Sequence, residues 1–265
     1  MKDKQASLRL EEMTFPEVLQ AMEADLPIIL PVGSIEQHGP HLPLGVDAYT
    51  VQDVARRVGA LYPAGVAPPL FYGGFSRPRT GGGRQFPGST GLPDRTLELV
   101  TKNILEDWFR QGFRTAVALN GHYENYAPLL SGIELATEPH LETHKALLLN
   151  WWAPLTHEET VALFGDAVED PDTEHASIVE TSVMEAIATQ LVRSQFKTDG
   201  RAQRKVSYEI FPPPADIIWK HGIGSTAVGS SPEAGEKYLQ LAAERIAGIL
   251  VFEFGAPSSS RGHDG

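Results

Sequence analysis

Acidic and imidazole side chains are concentrated in one short stretch of the chain. Residues 30 to 47 read LPVGSIEQHGPHLPLGVD and place Glu36, His38, His41 and Asp47 directly after a short apolar run. Carboxylates and imidazoles are the ligands of borderline divalent metals such as zinc and manganese. A strand that runs into a loop of such groups presents a metal site on a rigid scaffold. The stretch therefore predicts a metal centre.

A second cluster of the same kind, NGHYEN at residues 120 to 125, also follows an apolar run. Its His122 and Glu124 are two positions apart, like Glu36 and His38. In an extended segment alternate residues point to the same side, so each pair can reach one cavity. Two such pairs, each after an apolar run, indicate a metallohydrolase rather than a generic globular domain.

Asp47 lies at a predicted helix start, and its two carboxylate oxygens can bridge two ions. If it bridges, each ion has three protein ligands and open positions for water or substrate, as in two-metal hydrolytic sites. His41 is interpreted as a supporting histidine. The predicted ligands are Glu36, His38, Asp47, His122 and Glu124.

The composition excludes several alternatives. A chain of 265 residues with 42% hydrophobic residues can build one sizeable core. A net charge of -12 argues against nucleic acid as a general partner. The absence of cysteine excludes disulfides and thiolate-bound metals, so any metal must be held by His, Asp and Glu.

The same pass along the chain gives expectations for its organisation. We expect one domain over residues 1–257 and a disordered tail over residues 258–265, whose His263 is not a ligand. The sequence shows neither an apolar signal core nor a run near the roughly 20 residues of a membrane span. A cytoplasmic protein without a membrane partner is therefore expected.

Helical and strand patterns alternate along the chain. Thr14 and Glu17 form a predicted capping box, and Asp47 and Asp94 are predicted to cap helices. The second of these helices is expected to turn four apolar residues inward, Leu97, Val100, Ile104 and Trp108. The predicted strands are 27–32, 65–68, 114–119 and 146–152. The predicted helices are 14–25, 47–58, 94–108, 126–137, 178–191 and 232–252.

This alternation predicts a layered α/β/α fold with a mostly parallel central sheet. Sites on such sheets gather at the carboxyl ends of the strands, where both acid–imidazole clusters fall. Residues 71–93 form a long loop rich in Gly and Pro, and such a loop in a compact domain is more often functional than idle.

These residues resemble the creatininase (creatinine amidohydrolase) family over roughly residues 15 to 252. The most specific segments are GSIEQHGPHLP at 33–43, followed by Val46-Asp47, and NGHYEN at 120–125. Glu174-His175 with Glu180-Thr181-Ser182, and TGGG and FPGST within residues 80–90, are similar as well.

The resemblance implies a creatininase-like fold, a homohexamer and two divalent ions per chain, zinc or manganese, with iron also compatible with the ligands. It assigns Glu36, Asp47 and His122 to one ion. It assigns His38, Asp47 and Glu124 to the other, with Asp47 as the bridge.

The resemblance also implies catalytic roles and a small-molecule substrate. His175 relays protons, which suits the pKa range of histidine. Glu180 matches another acidic position near the site. The residues implied at the substrate are Thr80, Tyr123, Trp152, Asp172 and Glu174.

One departure concerns the substrate. The family's pocket has two tryptophans; Trp152 matches one, but Pro171 stands where the other is expected, and proline cannot close over a planar ring as an indole does. Creatinine is the leading candidate, and a formamide or a cyclic keto-sugar such as a keto-inositol is the alternative. A non-catalytic scaffold that uses metals for structure is a remote third.

Overall fold

The computed structural model describes residues 8–168, 174–200, 204 and 206–256. The strands are β1 (Leu8–Arg9), β2 (Ile28–Val32), β3 (Gly65–Val66), β4 (Thr115–Asn120) and β5 (Lys145–Asn150). The helices are α1 (Phe15–Glu23), α2 (Val46–Leu61), α3 (Asp94–Gln111), α4 (Tyr126–Thr137), α5 (His157–Phe164), α6 (Ile178–Ala188) and α7 (Pro232–Phe254).

The five strands form one sheet in the order β1-β3-β2-β4-β5, and every pairing is parallel. β2 and β4 are paired from Ile28 opposite Ala116 to Val32 opposite Asn120. The predicted layered α/β/α architecture is confirmed. β1, two residues long, was not predicted from the sequence.

Side chains of β2 alternate between two hydrophobic cores. Ile29 packs with α2, α6 and α7 on one face of the sheet, whereas Ile28, Leu30 and Val32 pack with α3 and α4 on the other. Helices therefore cover both faces, which explains why all five residues of β2 are buried.

Some of the predicted helix starts are confirmed, and others differ from the structure. Thr14 and Glu17 form the expected capping box at the start of α1. The predicted caps at Asp47 and Asp94 are wrong, because the residues that precede these helices are Gly45 and Pro93. Both aspartates lie in the first turn of their helix instead, and Asp47 is buried there. On α3, Leu97 and Trp108 are buried as predicted.

In the middle of α3 the buried face is shifted by one residue from the predicted one. Thr101 and Leu105 are fully buried, whereas Val100 and Ile104 are only partly buried. Burial of Thr101 is possible because its hydroxyl donates to the Leu97 carbonyl at 2.9 Å, so no polar group is left without a partner.

No helix in the described part of the chain is long and apolar enough to cross a membrane. The predicted tail, residues 258–265, lies outside the described residues, as do Pro171 and Asp172. The single-domain assignment of residues 1–257 stays a prediction.

Candidate metal centre

The candidate site lies where the chain leaves neighbouring strands in opposite directions. From β2 the chain continues through α2 to β3 on one side, and from β4 it continues through α4 to β5 on the other. Such a reversal opens a crevice at the carboxyl ends of the two strands. The two predicted clusters follow β2 and β4 directly and meet in this crevice.

One group of ligand atoms contains Glu36, Asp47 and His122, all buried. Nδ1 of His122 lies 3.2 Å from Oε2 of Glu36 and 3.1 Å from Oδ2 of Asp47. These residues come from the loop after β2, the first turn of α2 and the loop after β4. The structure therefore brings together the three residues that the resemblance assigns to one ion.

A second group contains His38, Asp47 and Glu180. Nε2 of His38 lies 3.2 Å from Oδ1 of Asp47 and 3.6 Å from Oε2 of Glu180. Asp47 thus offers one oxygen to each group, which is the geometry of a bridging carboxylate. Glu180 reaches this group from the first turn of α6.

Glu124 lies elsewhere. Its Oε2 is 3.1 Å from Nε2 of His122, the ring nitrogen that faces away from Glu36 and Asp47. It also accepts a hydrogen bond from the Thr80 hydroxyl. Within the described residues, Glu124 belongs to none of the groups that could hold an ion. The resemblance pairs Glu124 with His38 and Asp47, whereas the geometry puts Glu180 in that position.

A third possible group contains Glu36, His38 and His175, and the two groups that share Asp47 have separations that fit divalent ions. Four ligands about 2.1 Å from a tetrahedral ion lie about 3.4 Å from one another, close to the separations seen here. His38 Nε2, Asp47 Oδ2 and His122 Nε2 are buried and make no hydrogen bond of acceptable geometry, and neither does Oε1 of Glu36, the oxygen next to the one that faces His122. Buried polar atoms without hydrogen-bond partners are costly unless another ligand satisfies them.

Backbone contacts hold both histidines in place. Nδ1 of His38 lies 3.1 Å from the Glu36 carbonyl, which leaves Nε2 for the centre. Asn120 donates to the His122 carbonyl at 2.8 Å and accepts from the His122 amide at 3.0 Å. Such supporting contacts orient metal-binding imidazoles.

The charged side chains of the centre shift one another's pKa values. Burial alone lowers the pKa of His38, but the carboxylates of Glu180 and Asp47 outweigh burial and hold the pKa well above its usual value. Glu36 and Glu124 do the same to His122, again against burial. Burial opposes ionisation of Asp47, yet His38 and His122 lower its pKa. The carboxylates therefore keep a high affinity for positive charge.

His175 stands at the edge of the centre. Its ring centroid is 4.4 Å from that of His38, and its Nδ1 is 3.9 Å from Oε2 of Glu36. The Trp219 ring lies 5.5 Å away on another side. Burial lowers the pKa of His175, so the ring is a neutral imidazole near neutral pH. A neutral imidazole can accept and then return a proton.

A cavity of about 200 Å³ opens beside the centre. The predicted substrate residues Thr80, Tyr123, Trp152 and Glu174 all line it. Tyr123 is exposed, whereas burial raises the pKa of Glu174 to about 8. Asp172, also predicted here, lies outside the described residues.

The far end of the cavity is mostly apolar and includes residues that the sequence did not single out. Trp151 packs edge-on against Trp152, and Tyr238 packs edge-on against Trp151. Burial raises the pKa of Tyr238 to about 12, so its phenol stays neutral. No local pattern marks these residues, because they meet only when α7 packs near the end of β5.

His41 keeps the supporting place expected of it. It is fully buried, and its Nε2 is 2.9 Å from the Thr181 hydroxyl, next to Glu180. Burial lowers its pKa to about 4, so the ring is neutral. His41 thus connects the loop after β2 to α6.

Comparison with known proteins gives consistent matches. The family model for creatininase, described as creatinine amidohydrolase, matches residues 11–250. A creatinine amidohydrolase from Pseudomonas putida is 32% identical over 254 residues, covering 94% of this chain and 98% of that protein. A 3-dehydro-scyllo-inosose hydrolase from Thermotoga maritima is 25% identical over 201 residues, covering 74% of this chain and 61% of that protein.

Solved structures agree with these relatives. Creatininase structures match with a TM-score of 0.89 at 32% identity, covering 94% of this chain and 98% or 99% of theirs. One is a manganese form and another is a mutant of the Zn–Zn type. With two carboxylate–histidine groups at the β2–β4 crevice and a family match over most of its length, the chain belongs to the creatininase family.

Proposed function

We propose that this protein is a binuclear metal-dependent hydrolase of a small cyclic amide, and that creatinine, opened to creatine, is its substrate. The observation that carries the proposal is the pair of ligand groups sharing Asp47 beside a small, partly aromatic cavity. The creatinine amidohydrolase relative, which this chain matches over nearly its whole length, supports the choice of substrate.

Glu36, Asp47 and His122 would hold one ion, and His38, Asp47 and Glu180 the other. Two zinc or manganese ions per chain suit these oxygen and nitrogen donors, and iron is also compatible with them. When bound, such ions supply Lewis acidity toward a carbonyl oxygen and toward water.

The protein residues supply proton transfer. In the ring opening, water adds to the carbonyl carbon, the ring carbon–nitrogen bond breaks, and the leaving nitrogen gains a proton. His175 is placed to move this proton through Nδ1, the nitrogen nearer Glu36. Glu124 contacts the outer nitrogen of His122 and accepts a hydrogen bond from Thr80, so in this proposal it orients groups at the cavity wall and is not a ligand of either ion.

Other wall residues would position the substrate. Burial keeps Glu174 protonated near neutral pH, so its carboxyl group can donate a hydrogen bond to a ring heteroatom. Trp152 gives the cavity a flat apolar wall, and Tyr123 stands at its exposed end. Such a wall suits a small planar ring.

The test is turnover of creatinine by the metal-depleted protein with and without added zinc or manganese. We expect creatine to form only after metal addition. Asp47→Asn should abolish it while the protein stays folded. Asp53→Asn, the same change on α2 at a residue paired with Arg57, is the matched control and should retain activity. If no creatine forms under any metal, creatinine is not the substrate.

A keto-inositol is the second candidate, because the Thermotoga maritima relative is a 3-dehydro-scyllo-inosose hydrolase. A panel of creatinine, formamides, lactams and keto-inositols separates the candidates. The scaffold alternative predicts instead that Asp47→Ala unfolds the protein. We also propose that the protein is cytoplasmic, as expected from a sequence without an apolar signal core. The resemblance implies a homohexamer, and light scattering tests this assembly.

A further inference from the structure

Gln37, between Glu36 and His38 in sequence, is a buried amide whose hydrogen bonds all lie within the protein. Its Nε2 lies 2.8 Å from the Gly81 carbonyl and 2.9 Å from the Gly222 carbonyl, and its Oε1 accepts from the Gly39 amide at 3.0 Å. These contacts fix which end of the amide is nitrogen and connect three separate loops.

The same residue contacts the edge of the His175 ring. Nε2 of His175 lies 2.9 Å from the backbone carbonyl of Gln37 and 3.0 Å from the side-chain nitrogen of Gln37. Both protons of that side-chain nitrogen are directed to the carbonyls of Gly81 and Gly222. The number of donor protons and acceptors in this cluster therefore indicates which tautomer the His175 ring adopts.

If Nε2 of His175 carries the proton, three donor protons meet three carbonyl acceptors, and every contact is satisfied. If Nε2 is bare, two amide protons face four acceptors, which are the three carbonyls and Nε2 itself. Among the described residues, the Gln37 carbonyl then has no other donor in this cluster. A buried acceptor without a donor is costly, which favours the Nε2–H tautomer.

The packing leaves Gln37 little freedom to change these contacts. A Cβ atom at Gly222 would lie 1.7 Å from Oε1 of Gln37, and one at Gly82 would lie 3.2 Å from its Nε2. His175 is held from its own backbone as well, since its carbonyl accepts from the Gly224 amide at 2.8 Å. The Gln37 amide is thus held in one orientation, and the backbone of His175 is anchored beside it.

We infer that Gln37 is a positioning residue that holds His175 as the Nε2–H tautomer, with the bare Nδ1 turned toward the metal centre. Nδ1 is the atom that lies 3.9 Å from Oε2 of Glu36, so the tautomer decides whether a proton acceptor or a donor faces the reacting groups. The inference rests on the proposed function for its catalytic meaning, but its structural content stands apart from activity.

The direct test is NMR of the zinc-loaded protein labelled with 15N-histidine, with the His175 signals assigned by their loss in His175→Gln. We expect a proton on Nε2 and a bare Nδ1 in the unmodified protein. A proton on Nδ1 would overturn the inference. This readout needs no substrate, so it decides the question even if creatinine is not turned over.

The second test compares Gln37→Met with Gln85→Met. Gln85 donates to the Gly82 carbonyl from the exposed side of the same loop, so its variant makes the same chemical change away from His175. Gln37→Met keeps the backbone carbonyl but leaves the Gly81 and Gly222 carbonyls without side-chain donors, so we expect the loop that presents residue 37 to shift away from Nε2 of His175. The two tautomers should then mix and kcat should fall about 10- to 100-fold, with a small change in KM and unchanged zinc content. Gln85→Met should match the unmodified enzyme.

Unchanged tautomer and kcat in Gln37→Met would contradict the inference. If that variant does not fold, Gln37→Asn replaces it, because the shorter side chain keeps the amide but cannot span the distance to both carbonyls. It should lower kcat in the same direction. An unmodified enzyme with the expected tautomer but no creatinine turnover would refute the proposed function and leave this inference intact.

Discussion

Oε2 of Glu180 lies 3.6 Å from Nε2 of His38, although one residue is on α6 and the other follows β2. Glu124 follows β4, closer to His38 in sequence, but it contacts the outer nitrogen of His122 instead. The two glutamates therefore have different positions relative to the candidate centre, and their variants should fail in different ways.

Glu180→Gln should lower the metal content from two ions per chain toward one, because the second ligand group would lose a charged donor. Glu124→Gln should keep both ions and lose turnover, because it lies outside both groups. Mass spectrometry of the metal content, with activity measured on the same samples, checks both outcomes.

Glu185→Gln is the matched control for Glu180→Gln, since Glu185 is also on α6 but pairs with Lys197. It should leave metal content unchanged. Loss of an ion from Glu124→Gln, with full occupancy in Glu180→Gln, would restore the pairing that the family resemblance suggests.

Gly81→Ala should weaken metal binding without unfolding the protein. A Cβ atom at Gly81 would lie 1.8 Å from Oε1 of Glu36, so the carboxylate must move away from its place beside His122. Isothermal titration of the metal-free protein with zinc measures the effect, which we expect to be at least about tenfold in affinity.

Gly248→Ala provides the contrast. Gly248 lies in α7, and no atom within 4 Å would meet its Cβ. Alanine there should raise the free energy of unfolding by about 1 kcal/mol through helix propensity and leave zinc affinity unchanged. Equal zinc affinities for the two alanine variants would show that zinc binding does not require a residue without a Cβ atom at position 81.

Zinc should stabilise the protein more at high pH than at low pH. In the metal-free protein the pKa values of His38 and His122 are raised, so both rings hold protons that an ion must displace. The shift in Tm on adding zinc should therefore be larger at pH 8.5 than at pH 6. A shift independent of pH would mean that these imidazoles are not ligands.

In the metal-free protein the same two histidines should make the Tm fall as pH rises. Because their folded pKa values are raised, their contribution to stability is complete below their unfolded pKa. It is lost as pH rises through the folded values. Replacing His38 by Gln should therefore reduce the pH dependence of the Tm of the metal-free protein.

Glu174→Gln should become more stable relative to the unmodified protein as pH rises. Burial raises the pKa of Glu174 to about 8, so its contribution is complete below the unfolded value near 4.5 and is lost as pH rises through about 8. Glutamine carries no titrating proton and keeps an oxygen to accept from the Val179 amide, as Glu174 does.

The measurement is Tm at pH 5.5 and pH 8.5 for both proteins. We expect the difference in Tm to grow in favour of Glu174→Gln by about 3 °C or more over this range. Glu23→Gln, at an exposed position of α1, should show no such trend. Parallel curves for Glu174→Gln would mean that Glu174 is ionised in the folded state.

The residues of the centre that follow β2 and β4 could be predicted from the sequence. Alternating strands and helices predicted a parallel sheet, and the ends of β2 and β4 carry Glu36, His38 and His122. Because these strands are neighbours, their loops meet, and residue spacing alone indicated the chemistry. Asp47 follows as well, since α2 begins directly after the first loop.

Contacts made by distant helices could not be predicted in this way. Glu180 reaches His38 only because α6 packs beside α2 on one face of the sheet. Tyr238 reaches the cavity only because α7 covers the end of β5. Neither contact leaves a local periodicity, and the resemblance placed Glu180 near the site without fixing its partner.

The position of Glu180 on α6 also bears on how the protein is made. A growing polypeptide that has emerged up to β5 already contains every residue of the group Glu36, Asp47 and His122. The group around His38 lacks Glu180 until α6 has been synthesised. If ions bind as proposed, the complete centre can form only after the later helices have been made and packed.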